Sequence, residues 1–188
     1  MIFVSYLLKT KMGQYYVVVF LADKKIQKEI IRAWICSHTY MQGSKLTEHC
    51  FINNPMMYAV EQLLCPRGMF YMSRIVWAGD YATNEENSNK NLYTLSNENE
   101  DLLIGVKPVD TSCYKYIVNH TKCLYVDKTH SKNDIHPLPL LVAEGNGQGG
   151  GDYYGKNKNM CGTWARDTIS MEEVYPDGFT ELICEFEE

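Results

Sequence analysis

The sequence predicts an α+β fold: one domain, 1–188, built on a mainly antiparallel β-sheet with one or two helices. Three observations carry that expectation. Runs rich in Val, Ile, Tyr and Phe recur along the chain and outnumber helical patterns. These runs do not alternate with helices as βαβ units would. A length of 188 residues with 45% apolar and 22% charged composition suffices for one buried core.

Taken in order, "GQYYVVVFLADKKIQKEIIRAWICSHTY" (13–40) reads as two antiparallel strands around a turn at Asp23, Lys24 and Lys25. The competing reading is a helix from Lys24 to Trp34, on which Ile26, Ile30 and Ala33 share a stripe. "KLTEHCF" (45–51) alternates Leu46, Glu48 and Cys50 with Thr47, His49 and Phe51, as a strand would. "NNPMMYAVEQLLC" (53–65) is the strongest helix signal. Asn53 or Asn54 can cap it, Pro55 suits the first helical position, and Met56, Val60, Leu63 and Leu64 form one apolar face before Pro66 and Gly68 end it.

"SRIVWAG" (73–79) is a buried-type strand, "DYATNEENSNKN" (80–91) a surface loop, and "SNENED" (96–101) an acidic, mobile turn. "YKYIVNHTKCLYVD" (114–127) reads as a hairpin turning near Asn119 to Lys122. "LPLLVAE" (138–144) reads as a strand, and "GTWARDTIS" (162–170) and "FTELICEFEE" (179–188) supply two more.

Composition narrows the function classes. The formal charge of −5 and the lack of a long Lys/Arg run make nucleic acid an unlikely partner, because nonspecific affinity for it comes from neutralised phosphates. The seven cysteines are odd in number, scattered and never spaced CxxC, which implies reduced thiols in a cytoplasmic setting. The opening "MIFVSYLLKTK" has no basic segment before its apolar run and no small-residue cleavage site, so neither a signal peptide nor a membrane span is expected.

The conspicuous motif is "EGNGQGGGDYYG" (144–155). Gly145, Gly147 and Gly150 match G-x-G-x-x-G, and Gly150, Gly155 and Lys156 mimic a P-loop. Both matches lack the following helix whose N-terminus would meet the phosphates, and Asn157 stands where a P-loop needs a hydroxyl. Two uses remain: an anion-binding run of backbone N–H groups, or a loop passing close to neighbouring strands.

Asp80 in "WAGDY", Asp152 in "GGGDYYG" and Asp167 in "WARD" could hold a divalent cation if they converge, or could each cap a turn. In "WAGD" and "WARD", Trp77 and Trp164 stand three residues before their aspartates, which places Trp and Asp on opposite faces of an extended strand. Zinc could use Cys36 with His38, or His120 with Cys123, but neither CxxC nor HxxxH accompanies them. A spatial Cys–His nucleophile pair stays open, with no cysteine selected.

The segments "MGQYY" (12–16), "SHTY" (37–40), "GSKLTEH" (43–49), "AVEQLL" (59–64), "SRIVWAGDYA" (73–82), "NLY" (91–93), "YKYIVNHTKCLYVDKT" (114–129), "IHPLPLLVAEGNGQGGGDYYG" (135–155) and "GTWARD" (162–167) together resemble a family of small uncharacterised bacteriophage and bacterial proteins. The resemblance begins at Met12, leaves residues 1–11 outside as an N-terminal extension, and implies an insertion within Val17 to Cys36. It brings no activity with it. In relatives the "GGGD", "GSWAGD" and "AGDYAD" pieces run consecutively, which implies that 75–82 and 149–167 are spatial neighbours here.

Three functions follow as expectations. The first is a cytoplasmic phage or host accessory protein that binds a host protein or a small anionic ligand at Asp80, Tyr81, Gly149, Gly150, Gly151, Asp152, Tyr153, Arg166 and Asp167. The second is a metal-dependent hydrolase or phosphoesterase using Asp80, Asp152 and Asp167, with His38 or His49 as acid or base. The third is an inhibitor of a host factor with an acidic binding surface. The sequence does not specify a cofactor.

Overall fold

The computed structural model describes residues 12–23, 31–86 and 88–187. Its frame is one eight-stranded, mostly antiparallel sheet with four short α-helices among the described residues, as the α+β expectation requires. β1 (Tyr16–Leu21) and β2 (Ile31–Cys36) pair antiparallel, from Val17 opposite Cys36 to Leu21 opposite Ile31. Residues 31–34 are therefore strand rather than helix, while the expected turn at Lys24 and Lys25 lies outside the described residues.

β3 (Ser73–Gly79) lies on the other side of β1, with Tyr16 opposite Gly79 and Leu21 opposite Arg74. Every residue of β1 and β3 is buried. Both strands are central and covered on both faces, which is why they read as continuous apolar runs instead of alternating ones. β4 (Tyr116–Asn119) and β5 (Leu124–Asp127) form the expected hairpin, whose turn is tied by Asn119 accepting from the Thr121 and Lys122 amides. β6 (Ala143–Glu144), β7 (Thr168–Glu172) and β8 (Thr180–Glu181) complete the sheet. β6 and β7 share one edge of β3: β7 pairs at Ser73 and Arg74, β6 at Trp77 and Ala78.

The side chains of Tyr16, Val18, Phe20, Ile75 and Trp77 enter the larger core, while Val17, Val19, Leu21, Val76 and Ala78 enter a smaller one on the opposite face. The larger core is closed by α1 (Leu46–His49), α2 (Pro55–Leu64) and the segment around Leu138; α3 (Leu92–Asn97) closes the smaller one through Leu92. α2 is capped as expected, with the Met56 amide donating to the Asn54 side chain at 2.8 Å and Pro55 in the first turn.

Four local expectations are corrected. "KLTEHCF" is a helical turn: Leu46, His49 and Cys50 are buried at i, i+3 and i+4, and Glu48 accepts from the Lys45 amide at 3.1 Å. "LPLLVAE" begins as α4 (Pro137–Leu141), because His136 caps it and prolines at 137 and 139 fall where a helix start leaves N–H groups unpaired. "SNENED" is ordered by α3, capped by Asn91, and by the Trp34 indole donating to Asn99 O at 3.0 Å. "GTWARD" is a turn, with Arg166 at φ +64°, and strand begins only at Thr168; the C-terminal run keeps two strand residues.

All seven cysteines are unbridged. Among the described residues no helix is long and apolar enough to cross a membrane.

Candidate functional site

The glycine segment folds back on its own aspartate. Asp152 is buried, and its Oδ2 accepts from the Gly147 and Gly149 amides at 2.7 and 2.8 Å. Its Oδ1 accepts from the Tyr16 hydroxyl at 2.8 Å. The backbone concavity that could have cradled an external anion is thus filled by an internal carboxylate, which removes those donors from the anionic-ligand reading. Burial and Asp152 together push the Tyr16 hydroxyl far above the ordinary tyrosine range, so it stays protonated and donates.

The same segment is stitched to the residues that lead into β1. Gln14 N donates to Gly150 O, and Gly150 N donates to Met12 O, each at 2.9 Å. Gly151 O accepts from both the amide and the hydroxyl of Thr47 at 3.1 Å. Tyr153 is buried, its amide donates to Asn146 Oδ1 at 2.8 Å, and its hydroxyl lies within bonding reach of Lys156 O and Glu187 O. Tyr154 is half exposed and donates to Gly149 O at 3.0 Å.

Beneath the segment lies Gln14, 0% exposed, with neither its Oε1 nor its Nε2 hydrogen-bonded. It extends the inward side of β1, in step with Tyr16, Val18 and Phe20. Gly79 and Gly145 make room for it: a Cβ on either would stand 2.2 or 2.3 Å from Gln14 Nε2. Gly145 also holds φ at +93°, which other residues resist.

Asp80 sits at the end of β3 and locks onto the start of β1: its carboxylate accepts from the Tyr15 amide at 3.1 Å, and its own amide donates to Tyr15 O at 2.9 Å. Burial, with a smaller contribution from the charge on Asp152, raises its carboxyl above the usual range. Asp80 and Asp152 are therefore electrostatic neighbours, as the expected proximity of 75–82 and 149–167 requires. Tyr81, next along, is 37% exposed.

Asp167 does not join them. Its backbone carbonyl meets the Ile75 amide, roughly 16 Å along β3 from Asp80 at strand spacing, and its carboxylate binds Asn119 Nδ2 at 2.8 Å and Lys122 Nζ. The three aspartates do not converge. Arg166 is committed too, pairing with Glu144 through Nε at 2.5 Å and with Glu85 through two nitrogens at 2.6 and 2.9 Å. That pair of carboxylates ties the turn at 166 to β6 and to the loop after β3.

The acid–base candidates are similarly occupied. His49 is fully buried, accepts the Trp77 indole N–H on Nε2 at 2.9 Å and donates from Nδ1 to Gly43 O at 2.9 Å; burial lowers its pKa to about 4. His38 bonds Ser44 Oγ at 2.9 Å. Burial, aided by Asp152, pushes the Cys161 thiol up to about 12, and burial does the same for Cys184, so neither supplies a thiolate near neutral pH. Among the described residues no group of three or more His, Cys, Asp or Glu side chains is placed to hold a metal ion. Trp77 and Trp164 are both core residues, but Trp164 lies in a turn instead of an extended strand, and Asp167 is buried as well.

Two features were not anticipated. Gln14 could have been found by continuing the alternation of β1 backwards, which puts an amide in line with Tyr16 and Val18. The other is a buried network in which Glu61 receives Lys128 Nζ, the Thr111 hydroxyl and His136 Nε2, the last at 2.8 Å. Burial raises the Glu61 carboxyl, but His136 and Lys128 outweigh it and hold it below the ordinary range. Its signal is positional, since Glu61 follows Met57 by four residues on the apolar face of α2.

No family model, no curated protein and no solved structure matches the chain.

Proposed function

We propose that the protein is a cytoplasmic accessory protein of a phage or its bacterial host that binds a partner protein where β1 begins and β3 ends, around the glycine segment. One observation carries this reading. Met12, Tyr15, Tyr81 and Tyr154 are exposed large side chains, and all four belong to segments hydrogen-bonded to one another at this end of the sheet. Tyrosine and methionine are enriched in the centres of protein interfaces, and tyrosine contributes large contact area at a small entropic cost. The backbone beneath them is stiffened by the Asp152 and Asp80 hydrogen bonds, and a surface held before binding loses less on association. The seven unbridged cysteines suit a reducing compartment.

The test is capture from host lysate with the parent, a Tyr15→Ser/Tyr81→Ser/Tyr154→Ser variant and an Ile183→Ser control, each checked for unchanged folding. Ile183 is 78% exposed in a different segment. A protein retained by the parent and the control but lost by the triple variant supports the reading. Identical retention by all three contradicts it.

A further inference from the structure

We propose that the buried amide of Gln14 is the recognition group of a binding site for a small neutral ligand bearing a hydrogen-bond donor and acceptor side by side on one planar edge, as in a carboxamide, a lactam or a pyrimidine. This deepens the binding reading and rests on the same end of the sheet, but on a different group.

The first ground is the amide itself. Both of its polar atoms are buried without a partner, an arrangement native interiors rarely keep. An amide offers one donor and one acceptor on a single edge, and the matching group is another edge of the same kind. The second ground is the cradle. Gly79, Gly145 and Gly149 all lack a Cβ where one would strike Gln14, so the backbone closes around its side chain.

Charge selects the ligand class. Asp80 and Asp152 lie at this end, and Asp80 already has its carboxyl raised by burial and by Asp152. An anion would add to that repulsion, whereas a neutral planar edge would not. Access comes through the turn in which Gln148 N bonds Gly145 O at 3.3 Å. Gly145 in this turn abuts the amide, Gly147 and Gln148 are exposed, and a Cβ on Gly147 would meet nothing within 4 Å. Lifting the turn releases Gly147 N from Asp152, which retains the Tyr16 hydroxyl as a partner.

The experiment is a titration of the isotopically labelled full chain with acetamide, nicotinamide and uracil, and with nicotinate as the charged counterpart, followed by NMR and by melting temperature. The expected result is movement of the Gln14 side-chain amide and the Gly145 and Gly147 backbone signals by a neutral probe. A probe at a hundredfold excess over Kd should raise Tm by roughly 5–10 °C. Nicotinate should bind at least tenfold more weakly than nicotinamide, and Gln14→Leu and Gln14→Glu should each cost at least tenfold in probe affinity. Failure of every neutral probe to bind, equal binding of nicotinate, or undiminished binding by both variants overturns the proposal. Probe binding that persists in the triple tyrosine variant, with capture lost, separates this site from the surface above it. Capture that depends on the tyrosines while no probe binds sinks this inference and leaves the surface reading standing.

Discussion

The Tyr16 hydroxyl donates to the Asp152 carboxylate at 2.8 Å across 136 residues of chain, joining the first strand of the sheet to the end of the glycine segment. The other carboxylate oxygen collects two amides of that segment, so one side chain sets both the shape of the turn and its seat on the sheet.

Removing Asp152 should therefore loosen the turn before it unfolds the domain. In Asp152→Ala, hydrogen exchange at the Gly147 and Gly149 amides is expected to accelerate about tenfold or more, the equivalent of one lost bond worth about 1.4 kcal/mol. Tyr16→Phe, which leaves both amide bonds in place, should cost about 1–2 kcal/mol in denaturant unfolding with little change in exchange at those glycines. Equal acceleration in both variants would show that the turn is not held by Asp152.

A pH dependence follows from His49. Its pKa is lowered from 6.5 to about 4 in the folded protein, so between those values the unfolded chain binds the extra proton. Stability then rises with pH across that window and falls as pH drops from about 6.5 toward about 4, by roughly 3 kcal/mol at most from this group. His49→Gln keeps an acceptor for the Trp77 indole and a donor for Gly43 O while removing the titration. Urea unfolding at several pH values should give a shallower acid slope for this variant than for the parent; parallel slopes would contradict the assignment.

The Glu61 network makes a third prediction. Glu61 and Lys128 are 2% and 6% exposed at the side chain, so Glu61→Ala leaves a buried ammonium without its counter-charge. The expected loss is about 3–5 kcal/mol, and Glu61→Leu/Lys128→Leu together should cost less than Glu61→Ala alone. A double variant at least as damaging as the single one would mean that the ion pair itself is a net source of stability.

How much of this was legible in the sequence depended on how locally each feature is encoded. The β1–β2 pair, α2 with its Asn54 cap, β3 and the β4–β5 hairpin were readable because apolar runs and turn residues report them directly. "KLTEHCF" is ambiguous in sequence because four residues of helix and a strand share apolar positions, and only Glu48 reaching back to Lys45 breaks the tie. In "LPLLVAE" the aliphatic run suggests a strand, while the proline positions mark a helix start.

The candidate site was legible as a neighbourhood and not as a constellation. Asp80 and Asp152 share one end of the sheet, bonded to the adjacent residues Tyr15 and Tyr16, but Asp167 is carried to the far end of β3 by the register of β7, which no local pattern encodes. The alternation of β1 places Gln14 on the inward side, but its unmet hydrogen bonds depend on distant glycine backbone and are not written in sequence.

The most direct test of the central claim, that the Gln14 amide is kept for binding rather than for stability, is the unfolding free energy of Gln14→Leu without any ligand. Leucine has a similar size and needs no partner, so the variant is predicted to be more stable than the parent by about 1 kcal/mol or more, the relief of an unmet buried amide. A loss of similar size would show that the amide is satisfied in the free protein, and would contradict the account.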